Sequence, residues 1–152
     1  MTRSVALTYF EDFEIGQRIT VREHVVLKDE VVAFAAKWDP QPFHVDEEAA
    51  RASGFGGLVA CSSHIMAICI RLLNEEEVRA NVLAGLGWDE VRFPNPVRPG
   101  DSLMLTVECV DTRESRSKPD RGIVRNRVTV RNQKDELVAT FEDMIIVAKR
   151  KH

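Results

Sequence analysis

The stretch "GLVACSSHIMAICIRLLN" (Gly57–Asn74) is the least polar segment of the chain. Its apolar residues fall on nearly the whole circumference of a helix. A helix with so little polar surface has to be buried on most sides, so the rest of the chain must wrap around it. What flanks it supplies the wrapping. Downstream, "SLMLTVECVDTRE" (Ser102–Glu114) alternates Leu103, Leu105, Val107 and Cys109 with polar positions. "GIVRNRVTVRNQKDELVATFEDMIIVA" (Gly122–Ala148) reads as two strands joined at "NQKDE". Between helix and strands, Trp88–Phe93 has a strand-like centre ahead of a Pro/Gly-rich bend, and Trp88 and Phe93 are expected in the core or at an interface.

Upstream, "QRITVREHVVL" (Gln17–Leu27) alternates Ile19, Val21 and, less cleanly, Val25, which predicts a strand. "KDEVVAFAAKW" (Lys28–Trp38) changes to helical spacing, with Val31, Phe34, Ala35 and Trp38 on one face and acids in the first turn. "DEEAARAS" (Asp46–Ser53) predicts a second short helix with Gly54 as its stop. Asn74 with Glu77 reads as the cap of a further short helix. The order is one strand, a helical region, then about four antiparallel strands, without repeats or linkers. This is an α+β arrangement, an antiparallel sheet around a long central helix, in a single domain over residues 1–152. The edges of so small a sheet need covering, and a dimer with a continuous sheet would do it.

Composition narrows the function classes. Of 152 residues, 44% are hydrophobic and 30% charged, with a net charge of −3, so there is no electrostatic footprint for nucleic acid. Cys61, Cys69 and Cys109 are odd in number and lack metal-ligand spacing, which suits a reduced cytoplasmic compartment. The N-terminus turns acidic too early for a signal peptide, and no apolar run reaches transmembrane length, so a soluble intracellular protein with no membrane partner is expected. The basic-leaning tail "KRKH" is too short for a nucleic-acid site.

Chemistry concentrates where the first helix stops. In "DPQPFH" (Asp39–His44) two prolines stiffen the backbone between a carboxylate and an imidazole. Read as turn chemistry, Asp39 caps a backbone amide and His44 lies at the surface. Read as a site, the rigid turn holds both groups at the fixed distances that acid–base catalysis requires. Ser62, Ser63 and His64 are consecutive; neighbours on a helix point about 100° apart, so Ser63 and His64 do not form a nucleophilic dyad. No nucleophile-elbow pattern surrounds them.

These segments together resemble the MaoC-like dehydratase family of hotdog-fold proteins, and are similar above all to its (R)-specific enoyl-CoA hydratases. Asp39, Pro42 and His44 match the hydratase motif, with Gln41 where Asn is usual and Asp46 as the second Asp. "FGGLVACSSHIMAICIRLL" resembles the family's helix segment, which often reads Ala-Ser-Gly-Trp-His. "VRPGD" (Val97–Asp101) is similar to its lead-in to a strand, and "ESRSKPDRG" (Glu114–Gly122) to a stretch in close relatives. The resemblance implies a five-stranded antiparallel sheet around a helix, in homodimers or assemblies of dimers. It implies an acyl group carried as a thioester on coenzyme A as substrate, with no metal or other cofactor. The implied reaction is reversible addition of water across the C2–C3 double bond. Asp39 and His44 would hold the water, and a backbone N–H at the start of the helix would bind the thioester oxygen.

That N–H belongs here to Ser62, where the family has Gly; Ser63 replaces a Trp, and Ile70 stands where some hydratases have Ser. Gln41, Pro42 and Ser63 would lie against the substrate, as would His64, which also reads as a satisfied buried or pocket histidine without a direct chemical role. Arg116, Lys118 and Arg121 either meet the phosphates of coenzyme A or form a solvated loop. Two other functions stay open: a hotdog thioesterase, and a non-catalytic acyl-CoA-binding or assembly subunit.

Overall fold

The computed structural model describes residues 6–75 and 78–152, apart from the side chains of Arg22 and Val78. In chain order the elements are β1 (Ala6–Thr8), a 3-10 turn (Phe10–Asp12), β2 (Arg18–Val25), α1 (Lys28–Trp38), α2 (Pro42–Val45), α3 (Glu47–Ala52) and α4 (Ser62–Glu75). They continue as β3 (Val78–Ala80), β4 (Val82–Arg92), β5 (Ser102–Glu114), β6 (Arg121–Arg131) and β7 (Leu137–Ala148). No described helix is long and apolar enough to cross a membrane.

The five long strands form one antiparallel sheet in the order β2-β5-β6-β7-β4, and β1 pairs with β3 in a small parallel ribbon. The alternation of β5 is realised: Leu103, Leu105, Val107 and Cys109 are buried. Register carries that inward row across the sheet, with Val107 opposite Val128 and Val128 opposite Phe141. Onto this face α4 lays Ile65, Ile68, Cys69 and Leu72, all buried in the same cluster. Each such side chain contributes about 1.5–3 kcal/mol when removed from water. The sheet therefore wraps α4, as expected.

Four details stand out beside the sequence reading. First, α4 is buried on most sides, as expected, and Ser62, Ser63, Ile70 and Asn74 are exposed along one flank. Second, Asn74 caps nothing downstream among the described residues. The helix runs through it, and its Nδ2 donates to the Ile70 carbonyl at 2.8 Å. A strand, β3, then follows; Glu77, like Met1–Val5 of the N-terminal reading, lies outside the described residues.

Third, Trp38 is 65% exposed, because α1 ends there and the Lys37 ammonium packs over its ring at 5.0 Å. Fourth, α3 ends at Ala52 with Ser53 as its C-cap, and the left-handed residue of the following loop is Gly56 rather than Gly54. Ile19 and Val25 are exposed while Val21 is buried, and the pairing of β2 with β5 shifts register between Val21 and His24.

The strand centred near Trp88 is longer than its sequence signal. β4 runs for 11 residues at the sheet edge, exposed along almost its whole length, with Val82, Leu83, Leu86 and Trp88 uncovered.

Candidate active site

The proline turn sits where α1 meets the approach to α4. Asp39 ends α1, its N–H donating to the Ala35 carbonyl at 2.8 Å. Its own carbonyl accepts from the Gln41 N–H at 2.8 Å, closing a tight turn. Pro42 opens the single-turn helix α2, where a missing N–H is harmless and a fixed φ favours the start. Asp46 then caps α3, its Oδ1 accepting from the N–H groups of Glu48 and Ala49 at 2.9 and 3.2 Å. Asp46 thus has a folding role within this turn.

α2 directs His44 inward, and the strand-like segment before α4 receives it. The His44 Nδ1 lies 2.6 Å from the Val59 carbonyl. A carbonyl only accepts, so Nδ1 carries the proton and Nε2 of the neutral ring holds a lone pair. That Nε2 is 3.6 Å from Asp39 Oδ2. The separation is too long for a direct hydrogen bond, yet one oxygen atom fits within hydrogen-bond distance of both groups. The His44 side chain is 8% exposed and that of Asp39 36%, so the pair is walled on the imidazole side and open on the carboxylate side. Phe43 packs edge-on against His44 and also touches Phe55.

The Val59 segment is itself anchored. Its N–H donates to the Phe43 carbonyl at 3.3 Å, and the Ala60 N–H to the Val97 carbonyl at 2.8 Å. Val97 opens "VRPGD", whose turn uses Gly100 at φ +91°, and Arg98 reaches the Phe55 carbonyl at 2.6 Å. The lead-in to β5 thereby braces both the turn and the start of α4.

Ser62 is the first residue of α4 and is exposed, three residues beyond the carbonyl that holds His44. The first N–H groups of a helix have no acceptor within it, and the helix dipole makes them suited to a developing oxyanion. Ser63 is exposed beside it, its Oγ 3.4 Å from the Cys61 sulfur. Gln41 and Pro42 are exposed on the turn.

His64 goes elsewhere. It is buried, stacked on Phe34 at 4.6 Å and 11°, and its Nδ1 has no partner among the described residues. Burial holds its pKa below the usual histidine value, with Glu30 opposing and His24 adding to the effect. The His64 ring thus packs between α4 and α1. Arg116 and Lys118 lie in the β5–β6 loop, exposed, and Arg121 starts β6 paired to Asp120 at 2.8 Å. β5 begins beside "VRPGD" and runs 13 residues, about 40 Å, before reaching that loop. Within one chain the three cations are not brought to the Asp39–His44 turn.

The three cysteines are buried and free, and burial pushes the Cys69 thiol up to about 12, far from nucleophilic use. The residue that sequence reading missed is Val59. It acts through a backbone carbonyl, which leaves no side-chain signature.

Known proteins agree with this architecture. A family model described as "MaoC like domain" matches residues 11–132. The chain is 34% identical over 142 residues to the uncharacterized protein YdeM of Bacillus subtilis, covering 92% of this chain and 98% of that one. It is 28% identical to the mesaconyl-CoA hydratase of Cereibacter sphaeroides over 93% of this chain, but spans only 41% of that protein's length. The crystal structure of a MaoC-like dehydratase from Rhodospirillum rubrum superposes with a TM-score of 0.87 at 38% identity, covering 95% and 99% of the two chains. Rv0216 of Mycobacterium tuberculosis, a double hotdog fold, superposes with a TM-score of 0.78 at 23% identity, covering 95% of this chain and 45% of that one, which identifies the fold as hotdog. A family match across most of the chain, joined to a full-length relative above 30% identity, means that this chain belongs to the MaoC-like domain family.

Proposed function

We propose that the protein is a hydro-lyase that reversibly hydrates a 2-enoyl thioester carried on coenzyme A. The observation that carries this reading is the fixed tautomer of His44 facing Asp39 across a 3.6 Å gap. In the hydration direction a water sits between them. Nε2 of His44 takes one proton as the water oxygen bonds to C3. The Asp39 carboxylate accepts a hydrogen bond from the other water hydrogen and stabilises the imidazolium. The π electrons of the double bond move toward the thioester, whose oxygen gains charge against the Ser62 N–H. The imidazolium then returns its proton to C2, restoring the neutral ring.

The dehydratase and hydratase names of relatives support the reaction class. The exposed apolar edge of β4 supports a homodimer in which a second copy extends the sheet. Three free buried thiols fit a reducing cytoplasm. The exposed Ser62 and Ser63, at positions where the family resemblance implies Gly and Trp, favour a second reading as a non-catalytic acyl-CoA-binding subunit.

The test is loss of the conjugated enoyl-thioester absorbance with crotonyl-CoA and a longer homologue, comparing wild type with Asp39→Asn. Loss by wild type alone, without free thiol, supports hydration at this turn. Release of free thiol would replace it with thioester hydrolysis, and saturable binding without turnover would favour the binding subunit.

A further inference from the structure

The Val59 carbonyl that receives His44 Nδ1 belongs to the loop between α3 and α4, so the imidazole is only as fixed as that loop. Its sequence works against rigidity. "SGFGG" (Ser53–Gly57) carries Gly54, Gly56 and Gly57, and Gly56 sits at φ +70°. On the α3 side, Ser53 ties the loop down: its carbonyl accepts from the Gly56 N–H at 3.1 Å and its Oγ from the Phe55 N–H at 3.2 Å. On the α4 side, the N–H groups of Val59 and Ala60 are bound to Phe43 and Val97. Over Phe55–Leu58, among the described residues, one hydrogen bond reaches in from elsewhere in the chain. It runs from Arg98 Nη2 to the Phe55 carbonyl at 2.6 Å.

Arg98 has a fixed base from which to make that bond. Its N–H donates to Asp101 Oδ2 at 2.9 Å, and its carbonyl accepts from the Asp101 N–H at 3.0 Å. Asp101 Oδ1 in turn accepts from Gln133 Nε2 at 2.9 Å, which ties the base to the β6–β7 turn. The guanidinium extends over Gly57, with Nη1 3.5 Å from the place a Cβ would occupy. Phe55 then passes the restraint on by two routes. Along the backbone it leads through Gly56–Leu58 to Val59. Through side chains, the Phe55 ring packs on Phe43 at 5.1 Å, and Phe43 stands edge-on to His44 at 4.5 Å. Both routes end on the same imidazole.

We propose that Arg98 is a positioning residue for His44. By holding the Phe55 carbonyl it keeps the Val59 carbonyl and the Phe43 ring where together they hold the Nδ1–H tautomer, with Nε2 toward Asp39. The planar fork of a guanidinium suits this task, since one nitrogen donates while the plane covers the glycine beside it. Without the bond, the glycine-rich tip samples other conformers and the Nδ1 acceptor drifts. The Nε2–H tautomer then gains population, and its Nε2 has no lone pair with which to take a proton from water. The kinetic consequence rests on the hydratase reading; the tautomer does not.

The experiment compares the full chain of wild type, Arg98→Met, Arg98→Lys and Arg51→Met. Long-range proton–nitrogen correlation spectra report the His44 ring at about pH 8, where an ordinary histidine is neutral. Crotonyl-CoA turnover and melting curves accompany them. Wild type is expected to show the Nδ1–H tautomer with a slowly exchanging ring proton. Arg98→Met keeps the exposed stem without the donor, and should exchange that proton at least about tenfold faster and populate Nε2–H. It should also lower kcat about tenfold with KM within about threefold, as a small displacement of a reacting group does. Arg98→Lys, which restores one donor, should recover part of both losses. Arg51→Met removes an exposed cation of α3 and should change neither. A His44 ring as protected in Arg98→Met as in wild type would overturn the proposal. So would an equal disturbance in Arg51→Met, no recovery in Arg98→Lys, or a lowered melting temperature with the His44 spectrum unchanged. If wild type does not turn over crotonyl-CoA, the hydratase reading fails, and the ring spectra still decide this proposal.

Discussion

His44 donates from Nδ1 to the carbonyl of Val59 at 2.6 Å, and this bond decides what the other nitrogen does. It fixes the tautomer, aims Nε2 at Asp39, and links the proline turn to the segment that starts α4. A side chain that must accept a proton and then return it needs such an anchor on its far side.

Removing either member of the pair should therefore abolish turnover in different ways. Asp39→Asn keeps volume but loses the charge that stabilises an imidazolium, and should lower kcat about 10²–10⁴-fold with an unchanged melting curve. His44→Ala also removes the bond to Val59, so it should lose comparable activity and about 1–3 kcal/mol of stability. Steady-state kinetics beside urea denaturation separates the two. Wild-type turnover in either variant would refute the assignment.

Ser62→Pro isolates the oxyanion donor. Ser62 is the first residue of α4, where proline is tolerated because its N–H is not needed by the helix. The variant should fold with near wild-type stability yet lose about 10²–10³ in kcat. Ser62→Gly, which keeps the N–H, should stay within about threefold of wild type. Similar kcat values for the proline and glycine variants would exclude this amide from catalysis.

Two buried groups give stability opposite dependences on pH. Burial raises the Asp143 pKa to about 6, above its unfolded value near 3.8, so its stabilising neutral form is lost as pH rises through 6. Asp143→Asn should thus exceed wild type by about 2–3 kcal/mol at pH 8, with the gap shrinking toward pH 4. His64 has its pKa lowered by burial, so the unfolded chain binds the proton first and stability falls as pH drops below 6.5. His64→Phe should remove that acid sensitivity. Urea midpoints at pH 4.5, 6 and 8 for the three proteins test both signs.

Gly122 answers to packing rather than to backbone freedom. It is buried on β6, and a Cβ there would run into the ring of Phe10 from the 3-10 turn. Gly122→Ala should destabilise by about 1–3 kcal/mol, and adding Phe10→Leu should recover part of that loss. Additive effects in this double-mutant cycle would show that the ring moves aside freely.

Much of this was legible in the residues. The apolar run of α4 and the period-two pattern of β5–β7 lead to a wrapped helix because each periodicity leaves one workable burial. The prolines between Asp39 and His44 announce a rigid turn because they act locally. Asn126 and Asp143 also left a signal, as polar residues at inward parity between Val124 and Val128 and between Phe141 and Ile145. The exposed flank of α4 and the exposed Trp38 were not legible, since composition does not say where a helix stops being covered.

By itself, then, the sequence determined the long strands, the main helices, the sheet-around-helix layout and a stiff turn that carries Asp39 and His44. These follow from local backbone chemistry and hydrophobic periodicity. Only the tertiary structure decided that Val59 sets the His44 tautomer, that the His64 ring packs between α4 and α1, and that the loop with Arg116 and Lys118 lies at the far end of β5. Those are relations between residues distant in the chain, created by strand register and by which backbone carbonyl meets which ring, and neither is written in residue type.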